Sequence, residues 1–110
     1  MALQIITDQT FQKEVLEEKG RYVLVDFWAE WCGPCKMLAP VLAKLSERFL
    51  DQVKMGKLDV DQNPGIAQKF MITSIPCNIL FKDGKEVERI VGHRSESAFA
   101  DELQKIISKN

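Results

Sequence analysis

The apolar positions of this chain change period several times, and each change marks an element. "LQIIT", residues 3–7, is short and β-branched and reads as an edge strand. From Thr7 onward, Phe11, Val15 and Leu16 fall on one helical face, and Gly20 follows where a helix stops. "YVLVDFWA", Tyr22 to Ala29, is almost uninterrupted apolar sequence, the pattern of a strand buried on both faces of a parallel or mixed sheet. Asp26 is its one exception. Met37, Leu38, Val41, Leu42, Leu45 and Phe49 then recur at helical spacing. Pro34 suits the first turn of that helix, whereas Pro40 lies inside it and removes one backbone donor, which predicts a kink. "VKMGKLDV" reads as a second inner strand, and Asn63-Pro64 opens a short helix carrying Ile66, Ala67 and Phe70, completing a βαβ unit. Beyond it, "CNILF", the turn "KDGK" and "EVERIVG" predict an antiparallel hairpin, because Asp-Gly is a strong two-residue turn signal. A closing helix from Ser95 keeps Phe99, Leu103, Ile106 and Ile107 on one face and turns Asp101, Glu102 and Lys105 to water.

Composition narrows what such a chain can do. At 110 residues and 45% hydrophobic content, a single domain spanning residues 1–110 is expected. Lys and Arg number 15 against 16 Asp and Glu, leaving no basic excess with which to hold nucleic acid or an anionic membrane. The stretch "MALQIITDQTF" has no basic residue ahead of its short apolar run, and no segment approaches the ~20 apolar residues of a membrane span. A cytoplasmic, monomeric protein is expected. Cys32, Cys35 and Cys77 cannot all pair within one chain, which fits a reducing compartment and a reactive dithiol better than a secreted disulfide scaffold.

That dithiol lies in "FWAEWCGPCKMLAP", residues 27–40, at the junction between the second strand and the long helix. Backbone N–H groups at a helix N-terminus carry partial positive charge and favour a thiolate at Cys32, and Lys36 adds to the effect. Cys35 falls on the same helical side within disulfide reach, with Pro34 stiffening the loop between them. One thiol can attack and the other can resolve. A zinc half-site would need a second Cys/His pair, and only Cys77 and the lone His93 remain, so no metal is expected.

At this length "DFWAEWCGPCK" resembles the active-site signature of the thioredoxin family. The likeness continues through "DVDQNP", "SIP" followed by "LFKDGK", and the glycine of "VGH", in the expected order and spacing. It implies an α/β thioredoxin fold, a five-stranded mixed β-sheet flanked by four α-helices. It also implies Cys32 as the attacking thiol and Cys35 as the resolving thiol, and Gly33-Pro34 is similar to the reducing members of the family. Asp26 matches a buried carboxylate beneath the dithiol whose implied role is to take a proton from Cys35, and desolvation in its strand should raise its pKa. The other reading of Asp26 is a structural ion pair with Lys57, the matching lysine of the neighbouring strand. Ile75-Pro76 matches a cis-proline turn that lies against the dithiol and offers backbone to an extended client. Together with Trp31, Gly33, Pro34 and Gly92 it would form a shallow apolar groove around Cys32, although Trp31 can also be read as simple packing and Trp28 as core.

The implied activity is protein-disulfide reduction on disulfide-containing client proteins, with re-reduction by a thioredoxin reductase and no bound cofactor. The competing class is a thioredoxin-fold binding module that docks partners at the cis-proline groove without turnover. Two adjacent residues depart from the family pattern, Cys77 and Asn78, where threonine and an apolar side chain are usual. Cys77 reads as a small buried filler or as an auxiliary thiol. Asn78, an amide in an inner strand, must find partners or cost ~1–3 kcal/mol. His93 reads as an exposed loop residue.

Overall fold

The computed structural model describes residues 3–109. Along the chain lie β1 (Gln4–Ile5), a π-helical turn (Gln12–Leu16), β2 (Tyr22–Trp28), α1 (Gly33–Arg48) and β3 (Val53–Asp59). They are followed by α2 (Pro64–Lys69), β4 (Cys77–Lys82), β5 (Lys85–Val91) and α3 (Glu96–Lys109). The strands form one five-stranded sheet in the order β1-β3-β2-β4-β5. β1 and β2 run parallel to β3, while β4 is antiparallel to both β2 and β5. This is the mixed thioredoxin-type sheet with four helical segments. Among the described residues, no helix is long and apolar enough to cross a membrane.

The unbroken apolar run of β2 is explained by its place at the centre of the sheet, where successive side chains feed two separate packing layers. Leu24, Leu80 and Met55 pack under α1 and α3, where Leu38, Leu42, Leu45, Phe99 and Leu103 close the layer. Val23, Val25, Ile79 and Phe81 face the other way, toward the π-helical turn and α2. There Phe11, Phe70 and Phe81 form a triad with ring centroids 5.4–5.6 Å apart, two of its three pairs edge-on. Edge-to-face contact suits the ring quadrupoles and locks the α2 side.

Three local features differ from or extend the pattern in the sequence. The first helical segment is not an α-helix: the Glu17 N–H donates to the Gln12 carbonyl at 3.0 Å, an i to i+5 bond. Five residues give too little length for α-helical cooperativity, and one wide turn suffices to bury Phe11 and Val15. Nor does Asn63 cap α2 with its own side chain. The carboxylate of Asp8 does so from across the molecule, accepting from the Gly65 N–H at 3.0 Å and the Ile66 N–H at 2.9 Å. Asn63 instead accepts the Asp8 N–H at 2.9 Å and so positions the cap. α1 continues through Pro40 to Arg48. The hairpin turn is as the Asp-Gly pair predicts, with φ of +49° at Asp83 and +83° at Gly84. A Cβ at position 84 would meet the Leu16 carbonyl oxygen at 2.9 Å, so glycine is needed there twice over.

Candidate active site

The chain leaves β2 at Trp28, turns through Ala29, and starts α1 with Cys32 as its N-cap. The Cys35 N–H donates to Cys32 Sγ at 3.2 Å, so a sulfur occupies the place that a capping oxygen usually fills. Cys32 and Cys35 are joined by a disulfide, their Cα atoms 5.3 Å apart, and both are buried in this oxidised state. Gly33 and Pro34, between them, are exposed.

Of the residues expected to frame a groove, Ile75 lies directly against this pair. Ile75-Pro76 is a cis peptide, and the Ile75 carbonyl oxygen lies 3.8 Å from Cys32 Sγ. The Pro76 carbonyl in turn accepts the Gly92 N–H at 2.8 Å, with Gly92 at φ +91°, which ties the end of β5 to the proline turn. Ile75 packs with Cys32, Cys35, Ala29, Trp28 and Val60. Trp31 is 71% exposed, and its indole Nε1–H donates to Asp61 Oδ2 at 2.9 Å. Trp31 is therefore a surface residue and not part of the core. Trp28, expected in the core, is only half-buried because it ends its strand; Lys57 Nζ stands 5.1 Å from its ring centroid.

Behind the disulfide lies a cavity of about 300 Å³ whose wall includes Asp26, Cys35, Trp28, Lys57, Ala39 and Pro40. Asp26 is 4% exposed. Burial raises its carboxyl pKa from 3.8 to about 7, while a hydrogen bond from Asn78 and the charge of Lys57 pull the other way. Although Lys57 is the cross-strand neighbour of Asp26, the two form no ion pair among the described residues. The structural ion pair considered from sequence is therefore not formed; the ammonium sits over the indole and acts on Asp26 through space.

Asn78 is the residue whose role sequence reading left without an account. It pairs with Asp26 across β2 and β4, and its Nδ2–H donates to Asp26 Oδ1 at 3.0 Å with both groups buried. The signal was present in strand alternation, which sends Asn78 to the dithiol side of the sheet and Cys77 to the aromatic side. Cys77 accordingly packs among Phe11, Phe27 and Phe81, where burial pushes its thiol pKa up. His93 is exposed.

The arrangement supplies a dithiol/disulfide couple at a helix N-terminus and, in the same cavity, a carboxyl group able to exchange a proton near neutral pH. The family model described as Thioredoxin matches residues 2–105. Thioredoxin 1 of Synechococcus elongatus is 47% identical over 100 residues, covering 91% of this chain and 92% of that protein. The chain belongs to the thioredoxin family. Thioredoxin of Mycobacterium tuberculosis is 48% identical over 102 residues, covering 93% of this chain and 87% of its own length. A bifunctional thioredoxin reductase/thioredoxin of Mycobacterium leprae is 46% identical over 102 residues, which cover 93% of this chain and 22% of that larger protein. Like its thioredoxin relatives, the chain is a protein-disulfide oxidoreductase built on a redox-active cysteine pair.

Proposed function

We propose that this thioredoxin-family protein works as a cytoplasmic, monomeric electron carrier that reduces client disulfides and is re-reduced by a thioredoxin reductase. One observation carries the reading: Cys35 of the dithiol and the buried carboxyl of Asp26 share a single cavity. The fusion of a thioredoxin reductase with a matching thioredoxin segment in the M. leprae relative supports the choice of electron donor. Gly33-Pro34 supports the reducing direction.

In the first step the Cys32 thiolate, favoured by the α1 N-terminus, attacks one sulfur of the client disulfide. A Cys32–client S–S bond forms, the client's own bond breaks, and the released thiolate takes a proton from solvent. The client segment lies in the groove of Trp31, Gly33, Pro34, Ile75, Pro76 and Gly92, pairing with the Ile75 backbone as an added strand. In the second step Asp26 accepts the Cys35 proton, and the Cys35 sulfur attacks Cys32. The intramolecular disulfide forms and the second client thiolate leaves. Two electrons pass from protein to client, and the reductase returns two. Lys57 acts on the charge of Asp26 and touches no reacting sulfur.

Reduction of insulin by dithiothreitol, followed by turbidity, tests the reading. The protein should accelerate it in catalytic amounts, and Cys32→Ser should abolish the acceleration. A binding module acting only through the cis-proline groove would give no acceleration over dithiothreitol alone.

A further inference from the structure

Asn78 makes one strong hydrogen bond and leaves another polar atom without a partner. Its Nδ2–H is given to Asp26 Oδ1 at 3.0 Å, while its own Oδ1, on a residue with 0% exposure, accepts no hydrogen bond. A buried acceptor left unpaired disfavours the fold, a cost that the amide's other contact must offset. What the amide contributes instead is a charge-assisted bond to a carboxylate. A polar group kept at that disadvantage serves its partner.

We propose that Asn78 is a positioning residue of the resolving step, holding Asp26 by one oxygen and favouring its ionised form as proton acceptor for Cys35. The inference rests on the proposed role of Asp26 as that acceptor. The groups that bear on Asp26 are few. Lys57 of β3 favours ionisation from the cavity wall, Cys35 of α1 shares the cavity, and Cys77 lies beyond the sheet on the opposite side. Asn78 is the one neighbour among the described residues that hydrogen-bonds the carboxylate directly. In the step itself the proton leaves Cys35 Sγ for an Asp26 oxygen, the Cys35–Cys32 S–S bond forms, and the client thiolate departs with the electron pair of the broken bond. Asn78 gains and loses no proton. Its N–H keeps a fraction of Asp26 ionised at neutral pH that burial alone would remove.

Two measurements test this on Asn78→Val, with Asn78→Leu as a second apolar variant should the first fold poorly. Carboxyl NMR titration of the disulfide form, in which Cys32 and Cys35 do not titrate, reads Asp26 alone. Its midpoint should move from about 7 to about 8 when the donor is lost. Stopped-flow reaction of the reduced protein with 5,5′-dithiobis(2-nitrobenzoate) reads the resolving step as the second release of coloured thiolate. That phase should slow about fivefold at pH 7, where the ionised fraction falls from about one half to one tenth, and converge with the parent above about pH 9. An unchanged or lowered midpoint in both apolar variants overturns the inference, as does an unshifted pH profile with altered stability. Asp26→Asn separates this from the underlying reading. If it leaves the resolving phase and its pH profile untouched, Asp26 is not the acceptor and both proposals fall; if it slows that phase while Asn78→Val does not, only the role of Asn78 falls.

Discussion

Cys77 and Asn78 are neighbours in β4, yet their side chains enter unlike surroundings on opposite sides of one sheet. Cys77 lies among phenylalanines, its thiol pKa pushed up by burial. Asn78 lies against the carboxylate of Asp26, beside a cavity that reaches Cys35. The difference teaches that residue type alone does not confer reactivity here. On the aromatic side burial pushes a thiol pKa up against the opposing pull of Arg89, whereas the other side holds a carboxyl near its titration midpoint at neutral pH.

The aromatic side is tested most severely by Phe81→Ala, which removes one ring of the triad. A loss of about 3–5 kcal/mol in denaturant unfolding is expected at every pH, with insulin reduction per folded molecule retained. A loss below about 1 kcal/mol would show that this layer does not carry the fold. Asp26→Asn should act in the opposite sense and only in part of the pH range. A carboxyl whose folded pKa is raised binds its proton more tightly when folded, so the folded state is penalised as pH rises from 3.8 toward about 7, and fully penalised above that. The full penalty is on the order of 4 kcal/mol. Because the new amide also needs partners, a gain of about 2–4 kcal/mol is expected at pH 8.5, fading to nothing below about pH 4. A loss of stability at pH 8.5 would show that the ionised carboxylate, through its bond from Asn78 and the charge of Lys57, supports the fold. The smallest effect belongs to Cys77→Thr, expected to change the insulin-reduction rate less than about twofold and stability by about 1 kcal/mol. In the parent, reduced and native, thiol titration should find two fast thiols and a third only on unfolding. Three fast thiols would place a reactive sulfur on the aromatic side and end the contrast between the two layers.

Much of this was legible in the chain because it is written in local signals. The apolar run Tyr22–Ala29 marks β2, the Asp83-Gly84 turn marks the hairpin, and Cys32, Pro34 and Cys35 mark the start of α1. What was not legible depends on register and long-range closure. Alternation assigns Asn78 to a side of the sheet, but only the alignment of β2 with β4 places it opposite Asp26. The cap of α2 comes from Asp8, a residue 57 positions before Gly65, so Asn63-Pro64 predicts where that helix begins but not what holds its first turn. The cis geometry at Pro76 was expected from family resemblance alone. Trp28, expected in the core, packs against the cluster of Ala29, Cys32 and Cys35 but is only partly buried, a distinction that periodicity does not show.

The outer edges of the sheet bear on whether copies of this chain can pair strand to strand. One edge is β1, two residues long, too short to template a neighbour's strand. The other is β5, whose Lys85, Glu86 and Glu88 are exposed and whose Arg89 is paired with Glu86. Charge and shortness blunt both rows of free backbone groups, and the hydrophobic β2 is enclosed between β3 and β4. Strand-by-strand polymerisation into cross-β aggregates is thereby opposed at each border.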